Sequence, residues 1–258
     1  MYPILNIAIQ AARKGGNNIT QAYDRKTSQY FQNQNFLKKE IKYTNYFIIN
    51  LIKKFYPQHN IIIYKKNLNF KKFLQPTWII NIFHGKKNFQ KRYPCFCVSI
   101  VIFIKNKINF SVIYDPLKNE IFTAVRGNGA QINGYRTRCS KTFLLKNSFL
   151  SSKIDNVFQK KNEIYLRILK KIFNQGVILR NTGILPLDLA YLAAGRIDFI
   201  LENNFKIQNY YPGILQIKES GGILNSYQIK YNNHNKNIII IANNIQLIKL
   251  IISKIKLI

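Results

Sequence analysis

The amino-acid sequence predicts an α/β fold in which helices and strands form stacked layers. Apolar residues recur with a helical period near the amino terminus and again near residue 50, and short apolar strands follow them. The second half of the chain alternates predicted helices with predicted strands. No internal repeat and no linker rich in Gly, Ser or Pro separates the halves, which meet near residue 140. Residues 1–258 are therefore expected to form one layered domain.

Two helices open the predicted order of elements. A helix over residues 4–23 is predicted from apolar residues that recur at helical spacing, which are Ile4, Ile7, Ala8, Ala11 and Ala12. A second stripe of the same kind consists of Phe47, Ile48, Leu51, Ile52 and Phe55. Proline has no backbone N–H to continue a helix, so this second helix is expected to end before Pro57.

Short apolar runs predict the strands of the first half. They cover residues 60–64, 78–82, 97–104, 110–114 and 121–125. The run at 110–114 is expected to pair with the run at 97–104 across the turn at residues 105–107, and 121–125 continues the series. These three runs predict consecutive antiparallel strands.

The second half repeats the alternation of helix and strand. Its predicted helices cover residues 165–173, 186–194, 212–220 and 245–255. Its predicted strands cover residues 176–179 and 199–201, a segment near 223, and residues 238–242.

The chain is strongly basic. Forty Lys and Arg residues against ten Asp and Glu residues give a formal charge of +30, which favours polyanionic partners such as nucleic acid or anionic lipid. A second interpretation stays open, because Lys, Asn, Ile, Tyr and Phe are residues of AT-rich codons and their excess is typical of mutational drift in a reduced genome. The lysines are spread from Lys14 to Lys256 rather than gathered in a tail, which favours drift over a dedicated basic arm.

Three cysteines are too few for a disulfide framework in a chain of this length, and a reducing cytoplasm is expected. Cys95 and Cys97 lie in an apolar run without a matching second pair, so core packing is expected there rather than a metal site. The amino terminus lacks the basic and apolar regions of a signal peptide, and no run approaches the roughly 20 apolar residues that span a bilayer.

Residues 78–89 read Trp-Ile-Ile-Asn-Ile-Phe-His-Gly-Lys-Lys-Asn-Phe. This stretch resembles the metal-binding loop of the inositol monophosphatase family, whose pattern is W-I-[IV]-D-P-[IL]-D-G-T-x-N-F. Asn81 and His84 stand where the family has aspartates. Lys86 stands where the family has the threonine that helps to position the attacking water.

The resemblance covers nearly the whole chain, and within the family it is to the bacterial SuhB branch. The matching segments are residues 1–8, 11–14, 56–59, 115–124, 126–134 and 188–198. The resemblance implies the family's fold, an α-β-α-β-α layered sandwich of the inositol monophosphatase and sugar phosphatase type. It also implies a homodimer, which is the usual state of the family.

The family's chemistry depends on carboxylates that converge on magnesium, a hard cation that prefers oxygen ligands. The resemblance places those ligands at five positions that carry no carboxylate here, namely Ile41, Tyr64, Asn81, His84 and Asn209. Nearby lysines would repel a divalent cation, and these are Lys65, Lys66, Lys86 and Lys87. No metal, no magnesium cofactor and no catalytic residue is therefore expected.

The ten remaining acids do not rebuild the site. Asp115 precedes Pro116 and is expected to form a turn. Asp188 and Asp198 flank a predicted helix and are expected at a cap or on the surface. Glu202 and Gly183 match family positions that contact the sugar ring of the substrate, and they are interpreted as vestigial substrate-binding residues.

Three functional hypotheses follow. The first is a non-catalytic Nus factor: the resemblance implies action with RNA polymerase and NusA in ribosomal RNA transcription antitermination and ribosome biogenesis, with ribosomal leader RNA as a further partner. The second is a residual magnesium-dependent, lithium-sensitive phosphatase of inositol 1-phosphate. The third is a phosphate-binding site in which His84, Lys86 and Lys87 replace the metal. The first is favoured, because the match holds at residues 115–134 and 188–198 and fails at the ligand positions.

Overall fold

The structure is a computed structural model that describes residues 2–24, 34–64, 73–153, 162–203, 207–231 and 234–256. The helices of the first half are α1 (Pro3–Asp24), α2 (Gln34–Phe55) and α3 (Lys86–Gln90). Its strands are β1 (Asn60–Ile63), β2 (Thr77–His84), β3 (Cys97–Ile104), β4 (Lys107–Asp115), β5 (Glu120–Val125), β6 (Gly129–Ile132) and β7 (Tyr135–Thr137).

The second half begins with β8 (Phe149–Ser152) and α4 (Glu163–Phe173). The elements that follow are β9 (Ile178–Leu179), α5 (Leu185–Ala193), β10 (Phe199–Glu202), α6 (Ile207–Ser220), β11 (Ile223–Tyr231), β12 (His234–Ala242) and α7 (Ile245–Ile255). None of the helices in these ranges combines the length and apolarity that crossing a bilayer requires.

Strands β1 to β7 form one sheet in sequence order. The predicted antiparallel series is confirmed, since Ile102 pairs with Phe110 between β3 and β4, and Tyr114 pairs with Ile121 between β4 and β5. Strands β1 and β2 are parallel. The second sheet has the order β11-β12-β10-β8-β9, in which β10 runs parallel to β8 and antiparallel to β12.

Side chains alternate between the two faces of each sheet and so define five layers. On the first sheet, Trp78 and Ile80 pack under α1 and α2. Ile113 and Phe122 point the opposite way, into a middle layer formed by α5 and α6. On the second sheet, Phe199 faces α4 and α7 on the far side. The expected α-β-α-β-α sandwich is thus confirmed.

Three short strands lie outside the predicted set, β6, β7 and β8. Each has only three or four residues, and their pairing partners are distant in sequence or across a tight turn, so a period-two pattern is too short to detect. Helix α6 begins at Ile207, five residues before the predicted start, and carries Pro212 inside it. The expectation that the cysteine run packs in the core is confirmed, because Cys97 is buried in the middle layer.

Candidate functional site

A cleft of about 940 Å³ opens between the two sheets. Its walls include six residues that the sequence singled out, Tyr64, Asn81, His84, Gly183, Glu202 and Asn209. Ile41 is not among the residues that line it: this side chain is partly buried in the core around α2. Lys86 is exposed at the start of α3, whereas the neighbouring Lys87 lines the cleft. Lys65 and Lys66 lie outside the described residues.

The backbone of β2 positions Asn81 and His84. Asn81 lies on the same face of the strand as Ile79, which also lines the cleft. The pairing of β2 with β3 is irregular between Asn81 and His84, and such a bulge re-aims a side chain at the edge of a site. Gly85 follows with a φ of 90°, and a Cβ there would lie 2.7 Å from the carbonyl oxygen of Cys95, so only glycine fits.

Hydrogen bonds fix the protonation state of His84. The backbone N–H of Phe83 donates to Asn81 Oδ1 (3.1 Å), so the amide nitrogen of Asn81 faces His84 Nδ1 at 3.3 Å. Nδ1 therefore accepts, and the opposite ring nitrogen, Nε2, donates to Ser99 Oγ at 2.7 Å. Burial lowers the pKa of His84 to about 4, so the ring is neutral at pH 7. His84 thus adds no positive charge to that of the neighbouring lysines, and the third hypothesis, in which it replaces the metal together with Lys86 and Lys87, stays a prediction.

Tyr64 and Asn209 meet on the other side of the cleft. The hydroxyl of Tyr64, just after β1, donates to Asn209 Oδ1 in the first turn of α6 at 2.7 Å. Burial raises the pKa of the Tyr64 hydroxyl, which keeps it protonated as a donor. This bond joins two positions that the family resemblance assigns to metal ligands.

Magnesium does not fit these donors. Asn81 Oδ1 already accepts a backbone N–H, both nitrogens of His84 are hydrogen-bonded, and Asn209 Oδ1 accepts from Tyr64. Magnesium needs near-octahedral oxygen ligands with enough negative charge to offset its own. Across the described ranges, no group of three or more His, Cys, Asp or Glu side chains is arranged to hold a metal ion.

Asp188 and Asp198 are buried, so the expectation that they cap a helix or lie on the surface is wrong. Asp188 lines the cleft and accepts hydrogen bonds from Ser151 Oγ (2.9 Å) and the backbone N–H of Thr182 (3.1 Å). Burial raises the pKa of Asp188 to about 6. Asp198 accepts from the backbone N–H of Phe149 at 2.7 Å. Ser151 and Phe149 both lie within β8, a strand the sequence pattern did not reveal.

The turn expected at Asp115 is confirmed. Its Oδ1 accepts the backbone N–H groups of Leu117 (3.1 Å) and Lys118 (3.2 Å), which closes the connection between β4 and β5. Asp115 therefore has a structural role in the frame of the sheet.

The family model described as "Inositol monophosphatase family" matches residues 1–257. The chain belongs to the inositol monophosphatase family. A protein called Nus factor SuhB from Buchnera aphidicola subsp. Acyrthosiphon pisum (strain APS) is 43% identical over 241 residues, or 92% of this chain and 91% of that protein. A protein of the same name from Escherichia coli (strain K12) is 39% identical over 236 residues, covering 90% and 88%.

Solved structures of the family superpose on the fold. The extragenic suppressor protein suhB from Bartonella henselae has a TM-score of 0.81 with 28% identity, and 99% of each chain is covered. Inositol monophosphatase from Anabaena has a TM-score of 0.76 with 25% identity, covering 99% of this chain and 96% of that one. These similarities agree with the five-layer architecture.

In this inositol monophosphatase fold, some residues that line the cleft or hold its walls together were not predicted from the sequence. Asn88 Nδ2 donates to the carbonyl oxygens of Cys95 (3.1 Å) and Thr182 (3.2 Å), which ties α3 to the loop that carries Gly183. Lys153 joins Lys87 in the cleft wall. Asn88 belongs to the resemblance motif at residues 78–89, so its place in the motif was the available signal.

Proposed function

We propose that this chain acts as a Nus factor in ribosomal RNA transcription antitermination and ribosome biogenesis, without metal-dependent phosphatase chemistry. Support for the first part comes from the relatives called Nus factor SuhB, which align over about nine-tenths of both chains. Support for the second part comes from one observation: side chains at the metal-ligand positions of the cleft are neutral and hydrogen-bond one another.

The loss of chemistry follows from charge. Two or more magnesium ions require several carboxylates that converge on one point, and amides, an imidazole and a phenol offer no negative charge at pH 7. Asp188 and Glu202 remain near the cleft, but Asp188 is already held by Ser151 and Thr182. A site of this kind has no means of offsetting the charge of two divalent ions.

The proposed partners are RNA polymerase and NusA within a cytoplasmic antitermination complex, with the chain itself as a homodimer. Such a role depends on surfaces rather than on a catalytic centre, so it can persist after the ligands are lost. Ribosomal leader RNA ranks second among the partners, because affinity that comes from charge alone is non-specific and falls steeply with salt.

The test pairs a pull-down with an enzyme assay. The immobilised chain should retain RNA polymerase and NusA from the same organism across a salt series, at salt that releases non-specific RNA. It should show no magnesium-dependent turnover of inositol 1-phosphate, with a catalytically active member of the family as the control for assay conditions. Failure to retain either protein would contradict the Nus-factor role.

A residual magnesium-dependent phosphatase is the alternative, and the open cleft favours it. Glu202 and Gly183, the positions that contact substrate in the family, still line this space. Turnover of inositol 1-phosphate that requires magnesium and is inhibited by lithium would establish that alternative in place of the non-catalytic one.

A further inference from the structure

The outer surface of α2 carries three large aromatic side chains in solvent. Tyr43, Tyr46 and Phe47 are 57%, 64% and 39% exposed. Their rings touch one another, with centroids 4.8 Å apart for Tyr43 and Phe47 and 6.4 Å apart for Tyr46 and Phe47. We call these three residues the α2 aromatic face.

Core packing does not account for this face. Helix α2 contributes Thr44, Ile48 and Ile52 to the buried side, where the two isoleucines pack beneath α1 on the first sheet. Residues at i, i+3 and i+4 share one side of a helix, so Tyr43, Tyr46 and Phe47 project together from the opposite side. Adjacent exposed rings of this kind are characteristic of an interaction site rather than of scattered surface residues.

Cations surround the α2 aromatic face. Lys14 of α1 lies with its Nζ 5.9 Å from the centre of the Phe47 ring, and Lys39 and Lys42 are exposed on α2. The acidic residues within α1 and α2 are Asp24 and Glu40, against seven basic residues, Arg13, Lys14, Lys38, Lys39, Lys42, Lys53 and Lys54. The surface therefore combines ring surface with a local excess of positive charge.

We propose that the α2 aromatic face binds single-stranded RNA. Unpaired bases stack on exposed aromatic rings while lysines neutralise the neighbouring phosphates, and this combination tolerates many sequences. Tyrosine and phenylalanine are also enriched at protein interfaces, but lysine is depleted there, so the lysines around the rings make a protein partner the weaker match. Duplex RNA is also disfavoured, since its bases are already stacked on one another. The inference goes beyond the proposed function, in which RNA is a second-ranked partner held by charge alone, because it assigns RNA binding to a defined aromatic surface.

The test measures fluorescence anisotropy of a labelled uridine-rich RNA of about 12 nucleotides with the full chain at near-physiological salt. The double variant Tyr43→Ala/Tyr46→Ala should weaken binding by about fivefold or more for each ring removed. Tyr43→Phe/Tyr46→Phe should bind like the parent chain, because stacking needs the ring and not the hydroxyl. The matched control is Tyr135→Ala, an equally drastic change at a tyrosine that is 78% exposed on β7.

Lysine variants separate stacking from charge. Lys14→Gln/Lys42→Gln should lower the salt dependence of RNA binding, by roughly one unit of slope for each phosphate that is no longer neutralised. The control pair is Lys91→Gln/Lys141→Gln, at exposed positions outside α1 and α2. Competition with duplex RNA should be weaker than with the unlabelled single strand.

Two results would overturn the inference. One is an RNA affinity that is the same in the parent chain, in Tyr135→Ala and in the Tyr43/Tyr46 double variant, which would mean that charge alone binds RNA. The other is unchanged RNA binding together with lost retention of polymerase or NusA, which would make the face a protein-docking surface. Because the pull-down of these proteins is scored separately, the RNA inference can fail while the Nus-factor role stands.

Discussion

We call the strands, turns and helices outside the cleft the frame of the sandwich. In this frame, carboxylates accept backbone N–H groups, whereas the metal-ligand positions of the cleft hold neutral side chains that hydrogen-bond one another. Glu219 accepts from Gly127 (2.8 Å) and Gly129 (2.9 Å), and Asp115 and Asp198 accept from the turn after β4 and from Phe149. In the cleft, Tyr64 pairs with Asn209 and Asn81 faces His84.

The difference is one of partner rather than location. Asp188 lines the cleft, but unlike the metal-ligand positions it still carries a carboxylate. That carboxylate accepts the backbone N–H of Thr182. A carboxylate that holds a backbone donor stabilises the fold with or without a metal, since a buried donor left unpaired costs about 1–3 kcal/mol. A carboxylate whose partner is a metal ion loses its benefit when the metal is gone and leaves repulsion behind.

The largest expected effect concerns two groups in the cleft with opposite responses to pH. His84 has a pKa near 4 in the folded chain against 6.5 in its unfolded reference, so folding stability drops as pH falls from 6.5 to 4. Asp188 has a pKa near 6 against 3.8, so stability drops as pH rises from 4 to 6. The two contributions should nearly cancel in the parent chain between pH 4 and 6.

Single variants should expose each contribution in urea unfolding measured from pH 4 to 7. Relative to the parent, Asp188→Asn should gain about 2 to 3 kcal/mol of unfolding free energy as pH rises across this window, and His84→Gln should lose a similar amount. Identical pH profiles for both variants and the parent would mean that burial shifts the pKa of neither His84 nor Asp188.

The sequence predicts the elements of the frame more accurately than the contacts in the cleft. The bounds of β3 and α7 match their predicted ranges, because long apolar runs with a clear period determine both. The prediction that Asp188 lies at a helix cap or on the surface is wrong because its partner Ser151 lies on β8. This four-residue strand forms only by pairing with β9 and β10. Local pattern carries no information about such a tertiary partner.

Two features of the cleft were beyond the sequence. The family resemblance identified Asn81, His84, Tyr64 and Asn209 as altered ligand positions, but it could not show that they bond to one another. The start of α6 at Ile207 was hidden by Pro212, which normally marks a first turn. Because α6 starts early, Asn209 lies on the helix and within reach of Tyr64.

A carboxylate of the frame should matter moderately. Glu219→Gln replaces one of two acceptor oxygens with a donor that faces a backbone N–H, and we expect a loss of about 1 kcal/mol in unfolding free energy. The matched control is Glu163→Gln, which alters an exposed pair with Arg167 and should change stability by less than about 0.5 kcal/mol. Equal losses in the two variants would remove the distinction between backbone-bound and surface carboxylates.

The neutral pair in the cleft should contribute less. Tyr64→Phe and Asn209→Ala remove the two ends of one partly exposed hydrogen bond, and a double-mutant cycle should give a coupling of about 0.5–1 kcal/mol. Tyr93→Phe, at an exposed tyrosine in the same cleft, is the control and should be neutral. A coupling free energy of zero would mean that the hydrogen bond between Tyr64 and Asn209 does not stabilise the folded chain.

The smallest expected effect is that of magnesium, which should leave the melting temperature unchanged within about 1 °C. A ligand that binds only the folded chain with a dissociation constant near 1 mM would, at 10 mM, add about 1.4 kcal/mol, or several degrees for a chain of this size. Sodium chloride at equal ionic strength is the control, because screening alone stabilises a chain of charge +30.

The variant Tyr64→Glu/Asn81→Asp/His84→Asp/Asn209→Asp should melt at a lower temperature without magnesium and recover with it, because four neighbouring carboxylates repel one another until a cation binds between them. A rise of several degrees in the parent chain would mean that these neutral donors hold the metal after all, and the contrast between cleft and frame would not stand.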